Sequence, residues 1–379
     1  MPDRVQLGVL GLGAVAQAVH LPILERLGDR FEVAAVADLS ADLANTVGEQ
    51  ARVAPDHRFT SLDAMLAGAA LDGLLILSSG SHGAAIEAGL DRGLAVFTEK
   101  PLAWTLEEAD SIAARLAADP RARLQVGYMK LYDPAVEEAV SVVRDAARVG
   151  PVRSIEVCVL HPSSESQLDH ARLLPPPADV PAEAMAALRG EQDRLLATAL
   201  GPAATALGGL YANVVLGSIV HDLALIRAFA GDPIGIDAVD VWPEGAWPPS
   251  VGITGRLGGD ARFVVRWHFL PDYAAYREEV RVVTERATIE LEFPTPYLLN
   301  APTELRITER VPTGRRDAVS RSLIEAFDAE LVAFHTLVVN GVPPQAGLIE
   351  GRADIVTAQR IVARHADALG LPIHVEAPA

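Results

Sequence analysis

The sequence predicts an α/β protein, with a doubly wound parallel sheet at its start and an open, mostly antiparallel or mixed sheet after it. Three observations lead there. Short β-rich runs alternate with helical patterns through the first third, which requires parallel crossovers. The glycine fingerprint Gly11-Leu12-Gly13-Ala14-Val15-Ala16 lies between the first strand-like run and the first helical pattern. From Gly235 onward, runs of strand character follow one another with short turns, the pattern of antiparallel pairing.

Residues 5–10 are apolar and strand-like, and 14–27 carry helical periodicity that ends at Gly28. Residues 31–37 read as a second strand ending at Asp38, and 41–50 as a helix. Arg58-Phe59 precedes a capped helix over 61–66. Strands follow at 73–77 and 94–98, separated by a helix over 82–92 that Gly93 closes. Thr105 caps a helix running to Ala118, with Glu107 and Glu108 in its first turn, where the helix dipole favours anions. Residues 123–127 form a further strand, and a helix over 135–147 leads to the turn Gly150-Pro151. Residues 152–160 are strand-like. Residues 161–210 are irregular and Pro-rich, with helical character over 183–200. A helix over 211–230 is closed by Gly231. Strand character covers 235–241, 251–257, 262–269, 278–283, 288–293 and 304–307, and two helices, 322–339 and 349–369, complete the pattern.

A chain of 379 residues is long for one domain and comfortable for two, and half of its residues are hydrophobic. The net charge of −18 argues against nucleic acid or an anionic membrane as partner, since both reward clustered Lys and Arg. The single cysteine, Cys158, lies in an apolar run and reads as a buried strand thiol. Met1-Pro2-Asp3-Arg4 leads into a strand without the features of a signal peptide, so a cytoplasmic address is expected. Residues 195–220 carry no charge and are long enough to span a bilayer. Their Gly-Pro, Gly-Gly and Ala content instead reads as a loop followed by a buried helix.

In the fingerprint, Gly11 permits a tight turn, Gly13 lets the backbone approach a pyrophosphate, and Ala16 allows close helix packing. Ala14 and Val15 open the helix whose N-terminus stabilises phosphate charge. Asp38, at the end of the second strand, is placed to accept hydrogen bonds from ribose hydroxyls and to repel a 2′-phosphate, which favours NAD over NADP. The alternative role for Asp38 is a cap for the next helix. The loop Ser78-Ser79-Gly80-Ser81 ends the next strand with small residues that let a dinucleotide pass closely, and His82 begins the helix after it. Its plain alternative is a helix-start cluster, compatible with the first role. Glu99-Lys100-Pro101 follows the 94–98 strand and delivers a lysine to the carboxyl edge of the sheet.

From these motifs onward the chain resembles the Gfo/Idh/MocA oxidoreductase family. The resemblance rests on Gly11-Leu12-Gly13, on His82 upstream of Glu99-Lys100-Pro101, on Gln125-Val126-Gly127-Tyr128, Tyr132-Asp133-Pro134, Gly150-Pro151-Val152 and His221-Asp222-Leu223-Ala224-Leu225, and on the tail over 327–352. It implies an N-terminal Rossmann domain (1–129) and a C-terminal α/β domain (130–379) for substrate binding and oligomerisation, with the terminal helices packing back on the first. A homodimer or homotetramer is implied.

The same resemblance implies an NAD-dependent oxidoreductase that moves a hydride between nicotinamide and a secondary alcohol or ketone of a sugar, cyclitol or related polyol. Lys100 would lie near the nicotinamide and the reacting carbon, and His221 would act as general acid/base. Glu99 would orient Lys100. The pattern departs from the family at one place. A carboxylate is usual one turn before the histidine, and here that position is Gly217. Asp222 is expected to point elsewhere on the helix. Tyr128, Lys130, Asn213 and Tyr276 are the remaining substrate-contact candidates. His161, Glu165, Asp169 and His170 lack a compact metal spacing, so no metal is expected. Two other readings stay open: glycoside cleavage through transient NAD redox, and a non-catalytic NAD-binding protein.

Overall fold

The computed structural model describes residues 4–377. The strands β1 (Val5–Leu10), β2 (Phe31–Ala37), β3 (Arg58–Phe59), β4 (Gly73–Ile76), β5 (Ala95–Glu99) and β6 (Arg123–Gly127) form one sheet in the order β3-β2-β1-β4-β5-β6. Every pairing in it is parallel. Helices cover both faces, so β4 and β5 are buried at every position. The order reverses between β1 and β4, and the crevice at that switch point is where such sheets bind nucleotides. Thr105 caps the helix Leu106–Ala118 in a reciprocal box with Glu108.

The second sheet contains β7 (Val152–His161), β8 (Gly235–Trp242), β9 (Ser250–Arg256), β10 (Arg262–Phe269), β11 (Arg277–Thr284), β12 (Ala287–Phe293), β13 (Glu304–Val311) and β14 (Gly314–Arg321). Their order is β14-β13-β12-β11-β7-β10-β9-β8. Only β7 and β10 pair in parallel, so the sheet is mixed and mostly antiparallel. One face buries Ile155, Val157, Val265, Val280 and Ile289. The other presents Glu156, Arg266, Glu279, Arg281 and Glu290. Cys158 lies on that charged face and is partly exposed, because alternation along β7 places it with Glu156 and opposite Val157. The expectation of a buried thiol is therefore corrected.

Two further differences have local causes. Residues 195–200 end the helix Ala182–Leu200 and are not a loop. The chain turns at Gly201, whose φ is +56°, and is helical again from Ala204. It continues through a π-helical stretch, Leu210–Ile219, into Val220–Ala230. The stretch Ala182–Ala230 is long and apolar enough to cross a bilayer by length and composition, yet 61% of its most apolar window is buried inside the protein, as in a core helix. The strand β14 carried no hydrophobic alternation because all eight of its residues are exposed. Its arginines suit a sheet edge.

The two terminal helices return to the first sheet. On Ala326–Asn340, Phe334 meets Phe97 of β5 edge to face, with ring centroids 5.7 Å apart. On Leu348–Leu369, Arg352 bonds Asp110 at 3.0 Å, and Asp354 pairs with Arg227 of the helix Val220–Ala230. Because Phe334 is fully buried, Phe334→Ala is expected to lower the urea unfolding free energy by about 3–5 kcal/mol. A loss under about 1 kcal/mol would show that this helix does not stabilise the parallel sheet.

Candidate active site

One cavity of about 930 Å³ runs from the switch point of the first sheet to the inner face of the second. At its nucleotide end lie Gly11, Gly13, Ala14, Val15, Asp38, Ser78 and Ser79. Gly11 has φ +87°, and a Cβ there would stand 2.5 Å from the backbone nitrogen of Ser78, so only glycine fits between β1 and β4. Gly13 has open space where its Cβ would be, which leaves room for a pyrophosphate. Asp38 accepts from the Leu12 amide at 2.9 Å and from the Ser40 amide at 3.0 Å, and its carboxylate faces the cavity. The cap of the helix Ala41–Gln50 is Ser40, whose hydroxyl accepts from Leu43. Asp38 is thus not that helix's cap. These residues fit the phosphates and ribose of a dinucleotide.

Glu99 ends β5 and is buried, with Oε1 accepting from His20 Nε2 at 2.8 Å. Burial works to raise its carboxyl, but the His20 hydrogen bond, aided by the Lys100 and His82 charges, holds it below the ordinary value. His82 lies under the Glu99-Lys100-Pro101 turn. Its Nδ1 meets the carbonyls of Pro101 at 2.8 Å and Glu99 at 2.9 Å, and its Nε2 meets the Ser78 carbonyl at 2.7 Å. It therefore ties the Ser78 loop to the lysine turn. Burial lowers its pKa. Neither His82 nor Gly80 lines the cavity, and the His82 ring nitrogens face backbone carbonyls instead.

The π-helical stretch crosses the middle of the cavity. Its i→i+5 bonding widens the turn and brings Asn213, Gly217 and Ser218, with His221 and Asp222 beyond it, to the same cavity. Tyr211 fastens this helix to the first domain through a 2.5 Å bond to the Trp104 carbonyl. The Lys100 ammonium donates to the Gly217 carbonyl. Burial lowers the Lys100 pKa; Glu99 opposes the change and Lys130 assists it. His221 is pushed well below its ordinary value by burial and then by the charges of Lys100 and Lys130. Its Nδ1 is buried with no partner among the described residues.

A second polar cluster forms the floor against the second sheet. Lys130 donates to both Glu278 oxygens at 2.5 Å, and the Tyr276 hydroxyl donates to Oε2 at 2.5 Å. Asp222 lines the cavity beside Glu278, and burial followed by the Glu278 charge raises its carboxyl well above 3.8. The Asp222 carboxyl is thus pushed toward its protonated form in this cluster. The expectation that it points elsewhere is corrected, because the cavity wraps around the first turn of the helix and receives both 221 and 222. His161, at the end of β7, joins the wall with Trp267, which bonds Ser218 at 2.9 Å.

The structure thus brings Lys100, Lys130, Asn213, His221 and Tyr276 together. Tyr128 does not line the cavity: its buried hydroxyl donates to Asp354 of the helix Leu348–Leu369. Following the edge strand β6, this tyrosine bonds the terminal helix instead of facing the crevice. Glu165, Asp169 and His170 do not line the cavity, and no group of three or more metal-ligating side chains exists among the described residues. Glu278 was missed. Its signal lay in the β11 alternation, where a carboxylate shares the inward face with Val280 and Val282.

The NAD-binding Rossmann fold model of an oxidoreductase family matches residues 5–128. That stretch belongs to the Gfo/Idh/MocA family. An inositol 2-dehydrogenase from Saccharopolyspora erythraea is 35% identical over 149 residues, 38% of this chain and 42% of that protein. The chain spans about two-fifths of the length of such curated relatives. Two solved structures share the fold over nearly the whole chain. An aldose-aldose oxidoreductase from Caulobacter crescentus is 17% identical with TM-score 0.72, covering 98% of this chain and 99% of that one. A UDP-N-acetylglucosamine 3-dehydrogenase from Acidithiobacillus ferrooxidans is 19% identical with TM-score 0.69, covering 95% and 97%.

The raised Asp222 carboxyl has a stability consequence. The folded protein binds this proton above pH 3.8, where the unfolded chain has released it, so folding stability falls as pH rises toward the folded value. Glu330, raised by burial and then by Glu99, adds a slope of the same sign. Asp222→Asn keeps a neutral donor and is expected to remove its share of that slope, at most about 1.4 kcal/mol per pH unit, in urea titrations across pH 4–8. An unchanged slope would mean that Asp222 is ionised. Glu278→Leu leaves Lys130 buried without its partner and is expected to cost about 3–5 kcal/mol, most of it recovered in the Glu278→Leu/Lys130→Met double variant.

Proposed function

We propose that this protein is an NAD-dependent oxidoreductase acting on a secondary alcohol or ketone of a sugar, cyclitol or related polyol. One observation carries the reading: Lys100 stands where the dinucleotide crevice opens into a polar chamber that also holds His221. The matched relatives named as inositol dehydrogenases support the substrate class. The cofactor, when bound, takes up or supplies the hydride at its nicotinamide ring.

The protein's own part is to bind, orient and move the proton. Lys100 keeps one N–H on the Gly217 carbonyl, which fixes its direction and leaves its other donors for the substrate oxygen. A carboxylate at position 217 would raise the lysine's pKa through its charge. A backbone carbonyl orients the ammonium without that charge, which suits a lysine asked to stabilise an alkoxide and exchange a proton. His221 is neutral at pH 7 and accepts the hydroxyl proton during oxidation. Lys130, held by Glu278, keeps a further N–H for substrate hydroxyls, Tyr276, whose O–H is committed to Glu278, offers its oxygen as an acceptor, and Asn213 offers an amide. Asp38 addresses the adenosine ribose, and its charge favours NAD over NADP.

NADH absorbance with a panel of cyclitols and sugars tests this. Lys100→Ala is expected to lower kcat/KM by about 10²–10⁴-fold; unchanged turnover would remove Lys100 from the mechanism. The His221 pKa is lowered well below 6.5, so its base form is present at neutral pH. Oxidation should stay level from pH 7 to 8 and decline only below 6.5, the ordinary histidine value. A decline already under way at pH 8 would place the essential base elsewhere.

A further inference from the structure

After β7 the chain does not stay with the second sheet. Residues 172–181 return to the nucleotide edge of the first. The Leu174 amide donates to Gln17 Oε1 at 3.0 Å, and Gln17 Nε2 donates to the Leu12 carbonyl of the fingerprint at 2.8 Å. Five residues on, the Asp179 carboxylate docks beside Asp38. Oδ1 accepts from the Ser40 hydroxyl at 2.5 Å, and Oδ2 accepts from the Asp42 amide at 3.0 Å. Val180, Met185 and Leu188 then line the same cavity as Gly11, Gly13 and Asp38.

The donors that Asp179 takes have a defined place in a dinucleotide site. Asp38 ends β2, where a carboxylate meets the ribose 2′-hydroxyl. A phosphate on that hydroxyl extends one bond further, toward the residues just after the strand. There the Ser40 hydroxyl and the first amides of the helix Ala41–Gln50 form an anion-binding corner. Asp179 fills that corner with a carboxylate from a segment 137 residues away. Its acid is held below the usual carboxylate value by the Ser40 hydroxyl first and the Asp42 amide next, as expected for an anion stabilised by those donors.

We propose that Asp179 is a cofactor-specificity residue, which occupies the 2′-phosphate position, excludes NADP and pins residues 172–181 over the adenosine half of NAD. The inference rests on the dinucleotide reading of the cavity and adds to Asp38 a second, independent carboxylate. Asp38 discriminates by its contact with the hydroxyl; Asp179 discriminates by filling the space and the donors that a phosphate needs.

Fluorescence titration of the full chain with NADH and NADPH tests this without turnover. Wild type should prefer NADH. Asp179→Ala should bind NADPH about tenfold tighter than wild type does, the scale of one recovered charge-assisted contact, while NADH affinity stays within about threefold. Asp179→Asn, which loses the charge but keeps an acceptor, should lie between. Unchanged NADPH affinity in Asp179→Ala, with Asp38→Ala still relaxing the preference, would overturn the role of Asp179 and leave the dinucleotide reading standing. A large loss of NADH affinity without gain of NADPH would reduce Asp179 to a strap anchor and overturn it too. Wild type binding neither nucleotide would remove the underlying reading itself.

Discussion

The bond from the Lys100 ammonium to the Gly217 carbonyl joins the two halves of the molecule at the point where chemistry is proposed. One partner comes from the carboxyl edge of a parallel sheet, the other from a helix that underlies a mixed sheet. Much of the nearby polar structure serves this meeting. His82 and His20 hold the turn from below, through the Ser78, Glu99 and Pro101 carbonyls and the Glu99 carboxylate. Tyr211 ties the helix to Trp104 from the other side. The lysine is therefore positioned by the backbone of the sheet-edge turn and of the helix, and its charge is met by a dipole where a full countercharge would otherwise stand.

That choice matters because Lys130, Glu278 and Asp222 of this chamber are buried. Low polarity magnifies each charge and also makes each unpaired charge costly. The protein meets the cost by dividing its groups. Lys130 and Glu278 form a closed ion pair, the Asp222 carboxyl is pushed up toward its protonated form, and His221 is pushed down toward its neutral form by burial and two nearby ammonium groups. Lys100 alone has no carboxylate bonded to its ammonium; Glu99 acts on it only through space. The group left with the least electrostatic compensation is the one positioned for the reacting oxygen. Absence of a carboxylate at 217 thus alters how the charge is distributed without emptying the site of acids.

Much of this was legible along the chain. The fingerprint, Asp38 and the Glu99-Lys100-Pro101 turn are local signals, because a glycine's φ, a strand end and a cofactor's phosphate all act over a few residues. The strand-helix alternation followed from the same short-range rules. Tyr128 shows where local reading fails. It ends a strand of the correct sheet beside the correct motif, yet its side chain turns to Asp354, more than two hundred positions later. The charged strand β14 failed for the opposite reason: an edge paired on one side and wet on both faces needs no apolar period.

By itself the sequence determined the parallel nucleotide-binding sheet, its phosphate loop and the lysine at its edge, since each depends on neighbours within one turn or strand. Only the tertiary structure decided what that lysine faces. Gly217 entered as a missing acid and became a carbonyl acceptor through the course of a π-helical turn. Glu278 and Asp222, unremarkable in a strand and a helix, act on each other's charge because two distant elements pack against the same cavity. Burial and long-range juxtaposition set the charge state of these groups, and neither quantity is carried by residue type or spacing.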